Sequence, residues 1–190
     1  QASAPGAFWG RGLGRGPAWP NRLTHVSQQG AWGGGGAEIQ KRPQARLAHS
    51  LASLMHSAPG VDDALAQAQW VLPMPLSPQR LAQRGFNQSL LLARQLSPLK
   101  TRYDLLLRIR DTPGQRTLPR SERLRNLQGA FAVDPLQADT LRGQRVMLVD
   151  DVMTTGASLH MAALALNASG VSQITTLVFA RTEEGANDGP

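Results

Sequence analysis

Apolar residues recur at helical spacing from Ala45 to His56, where Leu47, Leu51, Leu54 and Met55 share one side. Pro43 stands before this stretch and Pro59-Gly60 after it, so a helix is predicted between them. The pattern then changes. "QWVLPMPLS" (Gln69 to Ser77) reads as a short strand stopped by prolines. In "RGFNQSLLLARQLSP" a glycine turn precedes a helix carrying Leu90, Leu91, Ala93, Arg94 and Leu96. "DLLLRIR" (Asp104 to Arg110) reads as a strand, "PRSERLRNLQ" (Pro119 to Gln128) as a short polar helix, and "GAFAV" (Gly129 to Val133) as a strand. "RVMLV" (Arg145 to Val149) is a buried-type strand, and Ala157 to Ser169 an alanine- and leucine-rich helix that Gly170 ends. "QITTLVFA" (Gln173 to Ala180) is the last strand. The final three elements form a βαβ unit, which requires parallel pairing and a right-handed crossover. The expected fold class is therefore α/β, an open, mostly parallel sheet flanked by helices.

Residues 1–36 lack such order. They hold ten of the nineteen glycines and three of the four tryptophans, and no period organises their apolar positions. This segment reads as a flexible Gly/Trp-rich arm, residues 37–184 as one folded domain and 185–190 as a flexible tail.

Composition narrows the chemistry. The chain has no cysteine, so disulfides, thiolate zinc sites and cysteine nucleophiles are excluded within it. No apolar run reaches the roughly 18 residues of a membrane span, so no membrane insertion is expected and a cytoplasmic location is the default. The formal net charge is +7. Between Arg80 and Arg125, ten arginines and Lys100 face Asp104, Asp111 and Glu122, a local excess of +8 that leaves the remainder nearly neutral. Such a concentration suits an anionic partner: a nucleotide phosphate, pyrophosphate or nucleic acid. Only Phe86 and Tyr103 supply aromatic rings in that stretch, few for single-strand stacking.

The most informative stretch is "VMLVDDVMTTGAS" (Val146 to Ser158). In an open α/β sheet ligands bind beyond the carboxyl ends of the strands, and Asp150 and Asp151 are expected there. The turn through Thr154, Thr155, Gly156, Ala157 and Ser158 opens a helix whose free amides can hold a phosphate. Two acids are unfavourable for the phosphate itself. They suit the hydroxyls of a sugar carrying it, with magnesium favoured nearby. The plainer alternative is that Thr154 or Thr155 caps the helix and the acids are solvated. A Walker A motif and a GxGxxG fingerprint are both missing, which removes the P-loop and dinucleotide readings. His25, His49, His56 and His160 are scattered and match no motif; they read as structural or exposed.

This stretch closely resembles the phosphoribosyl pyrophosphate (PRPP) binding motif of type I phosphoribosyltransferases. With "PMPLSPQRLAQRGFNQSLLLAR" (Pro73 to Arg94), "RIRDTPGQRTLPRSERLRNLQGAF" (Arg108 to Phe131) and "LVFART" (Leu177 to Thr182), the chain resembles the ComF family over roughly residues 45 to 182. That family is phosphoribosyltransferase-like and linked to DNA uptake in competent bacteria. The resemblance implies that Asp150 and Asp151 bind the ribose hydroxyls of PRPP, serving as the catalytic acids, and that Thr154, Thr155, Gly156, Ala157 and Ser158 hold its 5′-phosphate. Pro75, Leu76, Ser77, Arg80 and Arg84 fall on the pyrophosphate side. Arg84, Gly85, Phe86, Asn87 and Gln88 form the family's RGFNQ signature. Arg110, Thr112, Gln115, Leu118, Arg123 and Asn126 match a flexible hood over the substrate. Mg²⁺ is implied as a companion of PRPP, without an assigned protein ligand. The implied activity is pentosyl transfer from PRPP, with pyrophosphate release, to an unidentified acceptor. The alternative is a non-catalytic module that senses PRPP or a nucleotide and meets single-stranded DNA or a DNA-uptake protein. The chain departs from the family in two places: the four-cysteine zinc module is absent, and "AEIQKRPQA" replaces the usual lysine-aromatic-glycine stretch.

Overall fold

The computed structural model describes residues 24–27, 41–111 and 120–181. In chain order the elements are β1 (Thr24–Ser27), α1 (Lys41–His56), α2 (Val61–Gln67), β2 (Trp70–Pro73), α3 (Pro78–Arg84) and α4 (Gln88–Leu96). There follow β3 (Leu106–Arg108), α5 (Arg120–Leu127), β4 (Phe131–Val133), a 3₁₀ turn (Pro135–Gln137) and α6 (Ala138–Leu141). The chain then forms β5 (Arg145–Met153), α7 (Ala157–Ala168) and β6 (Gln173–Arg181).

Four strands form one parallel sheet in the order β1-β6-β5-β2. Strands β3 and β4 form a separate antiparallel pair. The central strands are apolar on both faces because helices cover both. Val146 and Leu148 of β5 face one core with Ile174 and Val178 of β6, α7, Leu105, Leu106 and Phe131. Met147, Val149 and Leu177 face the other, with Ala52 and Met55 of α1, Leu65 of α2 and Leu92 of α4. Each buried Leu or Met contributes roughly 1.5–3 kcal/mol, so these two layers carry the sheet.

The βαβ unit read from the sequence is present. Strand β5 pairs in parallel with β6, and α7 crosses between them. Gly170, with φ 83, follows α7 in the left-handed region that ends a helix without a Cβ penalty. The predicted helices and strands all occur, though the strand read over Asp104 to Arg110 is reduced to three residues. Three short helices, α2, α3 and α6, escaped the periodicity. Helix α2 is too brief to show a repeat. Helix α3 is marked by its ends: Ser77 caps it through a 3.3 Å bond from the Arg80 amide, Pro78 is its first residue and Gly85 its C-cap.

Two further differences concern strands. Residues Thr24–Ser27, inside the stretch read as an arm, pair with Thr175 to Val178 at the sheet edge. Parallel pairing there uses backbone groups, which need no apolar repeat. The other residues of that arm up to 40, and residues 182–190, lie outside the described residues. Strand β5 also runs four residues past the apolar stretch, to Met153, because β6 continues beside it and pairs Asp150 with Val178 and Met153 with Arg181. The acids are therefore part of the strand. The apolar run ends at Val149 because β2 stops there, at the pair Pro73–Val149.

Among the described residues no helix is long and apolar enough to cross a membrane.

Candidate functional site

Three chain segments meet at the carboxyl end of β5. Its own last residues lead through Thr154, Thr155 and Gly156 into α7. The loop after β2 runs alongside, where the Met74 amide donates to the Val149 carbonyl at 2.8 Å. The start of α4 closes the corner. Asn87 caps α4 by accepting from the Leu90 amide at 3.3 Å, and its Nδ2 donates to the Met74 carbonyl at 3.0 Å. One asparagine thus starts a helix and pins the neighbouring loop.

Asp150 and Asp151 are both half-buried. The Asp150 carboxylate accepts from the Ser89 hydroxyl at 3.0 Å and from the Asp151 amide at 3.0 Å. Burial pushes its pKa well above the usual carboxylate range, and the adjacent Asp151 pushes the same way, against the Ser89 bond. Among the described residues no ion pair reaches either acid. Such a pair can accept hydrogen bonds from neutral hydroxyls, or face a cation that a ligand brings.

The turn after β5 offers the opposite character. Gly156 has φ 73, a left-handed conformation that favours glycine, and a Cβ there would press on Met153 Sδ at 3.3 Å. Its carbonyl starts α7 by accepting from the His160 amide at 2.9 Å. The Thr155 hydroxyl accepts from the Ala157 amide at a long 3.4 Å. Thr154 is exposed, Thr155 and Ser158 are half-buried, and Ala157 is buried. Unpaired amides of a first helical turn suit an anion. The helix cap considered for Thr154 or Thr155 is not formed: Gly156 is the N-cap of α7 and no side chain caps it, while Thr155 makes only this local turn contact.

The loop after β2 carries Pro75 and Leu76, both half-buried, and Ser77, which is fully buried. Arg80 and Arg84 extend from it on α3, Arg84 exposed at its last position. Phe86 is half-buried and Gln88 is the exposed first residue of α4. Ser77 also joins this loop to the hood segment, donating to Asp111 Oδ1 at 2.8 Å. Within the hood, Arg110 Nη1 donates to the Gln128 carbonyl at 2.9 Å, and Asn126 is exposed on α5. Thr112, Gln115 and Leu118 lie outside the described residues, and of Arg123 only its place in α5 is described. The hood is thus anchored by backbone pairing of β3 and β4 and tied to the β2 loop.

Sequence reasoning missed Ser89, Asp111 and Arg108. Ser89 directly follows the RGFNQ signature, at a helix start where hydroxyls are common. Arg108 packs its guanidinium 5.5 Å from the Phe131 ring centre. Burial depresses its pKa, as does nearby Arg80, while Asp111 counteracts both. Of the histidines, His160 is buried, His49 Nδ1 lies 3.3 Å from Gln95 Oε1, and His56 Nδ1 lies 2.6 Å from Asp62 Oδ1. A concavity of about 270 Å³ lined by Gly60, Asp63, Arg145 and Gln173 opens at the amino ends of β5 and β6, away from this chemistry.

The phosphoribosyl transferase domain family matches residues 85–188. Competence protein F of Haemophilus influenzae is 35% identical over 114 residues, 58% of this chain and 49% of that protein. DNA utilization protein YhgH of Escherichia coli K12 is 35% identical over 116 residues, 59% of this chain and 49% of its own. Competence protein ComFC of Bacillus subtilis is 33% identical over 111 residues, covering 56% and 43%. The chain spans about half the length of the curated relatives it matches. Among solved structures, hypoxanthine phosphoribosyl transferase of Trypanosoma cruzi superposes with a TM-score of 0.44 at 16% identity, over 78% of this chain and 70% of that one. The chain belongs to the phosphoribosyl transferase domain family and is similar to competence proteins of the ComF type.

Proposed function

We propose that this domain binds PRPP with magnesium and transfers its phosphoribosyl group to an acceptor with release of pyrophosphate. The observation that carries the reading is the junction at the end of β5: two adjacent carboxylates that no ion pair reaches among the described residues, followed at once by a helix start with no side-chain cap. Asp150 and Asp151 would accept from the ribose hydroxyls, while the amides and hydroxyls of Thr154 to Ser158 hold the 5′-phosphate. One short loop then grips both ends of a phosphoribose.

The loop after β2 and the start of α3 would receive the pyrophosphate, with Ser77 and Arg80 as donors. Arginine suits such contacts because its planar fork meets two phosphoryl oxygens at once. Departure of pyrophosphate builds positive charge on the ribose ring and negative charge on the leaving group. The two carboxylates stabilise the first and the arginines the second. Among the described residues no cluster of three or more His, Cys, Asp or Glu forms a protein cage for a metal. The donor set fits a cation carried in on the substrate, faced by the Asp pair, where magnesium would neutralise charge on the departing pyrophosphate. The hood would exclude water from the ring centre.

A second reading has its own observation. Arg84, Arg94, Arg110 and Arg125 are all exposed, so part of the basic excess lies on the surface. The same site would then sense PRPP or a nucleotide while these arginines meet single-stranded DNA. Calorimetry with PRPP and magnesium tests the shared part: binding is expected, and absence of binding by the unmodified protein rejects both readings. Pyrophosphate release with a panel of bases and amines then supports the enzyme. Background release together with DNA binding of steep salt dependence supports the sensor.

A further inference from the structure

Asp111 takes the hydrogen bond of a buried hydroxyl in the loop after β2. Ser77 is fully buried in the loop after β2, and a buried hydroxyl needs an acceptor. Its acceptor is not a neighbour in sequence but the exposed Asp111, at 2.8 Å, just beyond β3. The Ser77 oxygen also accepts from the Arg80 amide, so donating to Asp111 completes its bonding. The Arg108 guanidinium lies near enough to Arg80 and to Asp111 for their charges to interact. One carboxylate therefore collects a serine O–H and the field of the Arg108 guanidinium. Those are the donors a diphosphate would seek.

We infer that Asp111 is an intramolecular stand-in for the diphosphate, which must displace it from Ser77 to bind. This rests on the phosphoribose reading of the site and adds a regulatory step to it. The exchange conserves hydrogen bonds: the Ser77 hydroxyl turns from a carboxylate oxygen to a phosphoryl oxygen, and Arg108 exchanges one anion for another. Without a ligand, Asp111 offsets the repulsion between Arg108 and Arg80.

The probe is inorganic pyrophosphate, titrated calorimetrically without divalent cations into the full chain and into Asp111→Asn. Removing a competing, solvent-screened carboxylate should tighten binding roughly three- to tenfold. Ribose 5-phosphate, which addresses the other end of the site, should change by less than about twofold, since a distant exposed charge is screened. Asp111→Ser, which also removes the charge while keeping a polar group, should shift pyrophosphate the same way and covers the case where the asparagine variant does not fold. Unchanged or weaker pyrophosphate binding overturns the inference. So does an equal gain for both ligands, which would mark a general effect of net charge. Wild-type binding of PRPP judges the site reading alone, whereas the wild-type to variant ratio on pyrophosphate judges the stand-in alone.

Discussion

Asp104 and Asp150 are both half-buried aspartates, placed at opposite ends of the sheet and held in opposite electrostatic states. Asp104 accepts two bonds from Arg102, at 2.8 and 2.7 Å, and one from Gln137 at 3.0 Å. Its pKa falls to about 2, chiefly through the Arg102 bond. Arg102 also lies 5.4 Å from the centre of the Trp70 ring, whose Nε1 reaches the Thr140 carbonyl at 3.3 Å. This cluster fastens the beginning of β2 to the turn before α6, and its bonding is complete within the fold. Asp150 has a serine, a backbone amide and another acid around it, and its pKa rises. A carboxylate paired with arginine contributes to stability. A carboxylate held beside another at a strand end costs stability and suits a site whose missing partner is a ligand.

The comparison can be broken most directly at the acids. Asp151→Asn and Asp150→Asn should each weaken PRPP binding roughly ten- to hundredfold, the range for losing hydrogen bonds to a charged group. The ligand-free Asp150→Asn protein should melt no lower than the parent, because a like charge is removed. Calorimetry and thermal melts check the two halves together. The signs with pH also differ. A raised folded pKa means the native state holds its proton longer, so Asp150 lowers stability as pH climbs from the unfolded carboxylate range through its raised value. Asp150→Asn should flatten that decline.

Gly156→Ala comes next. A positive φ combined with a 3.3 Å approach to Met153 should cost about 1–2 kcal/mol in a urea melt and loosen the phosphate turn. At the other end of the sheet, Asp104→Asn should cost about 1 kcal/mol after allowance for solvent screening of a partly exposed pair. Its contribution is present above the unfolded value near 4 and is lost as pH falls toward about 2. Acid titration of parent and variant should therefore converge at low pH. PRPP binding should not respond to this substitution, which sharpens the contrast. The smallest effect is expected from Ser89→Ala. Losing one bond of about 1 kcal/mol should raise the Asp150 midpoint further and weaken PRPP binding by a few-fold, with Ser89→Thr retaining the hydroxyl and much of the affinity.

Much of the architecture was legible because it is locally encoded. The four apolar residues of β5, the alanine-rich α7 and Gly170 fix a strand, a helix and its end by periodicity and backbone preference. The family motifs named the segments that converge at the site. Short elements were less visible. Helix α2 offers too few turns to repeat a pattern, and β1 is only four residues long. Lys100 illustrates a different gap. It looks like part of a basic surface, yet its ammonium donates to the carbonyls of Leu65, Ala66 and Ala68, closing the end of α2.

The sequence by itself determined that an apolar strand runs into two acids, that a glycine turn follows and that a helix begins there. Each of those steps is a preference of neighbouring residues. Only the tertiary structure decided what faces the acids and the loops. Ser89 reaches Asp150 across 61 residues, and Ser77 reaches Asp111 across 34. No periodicity records such distances; they arise when β2 and β5 pair and α4 packs over them to bury the apolar face between. Whether a carboxylate is stabilised, as Asp104 is, or left poised, as Asp150 is, depends on charge and burial supplied by remote segments.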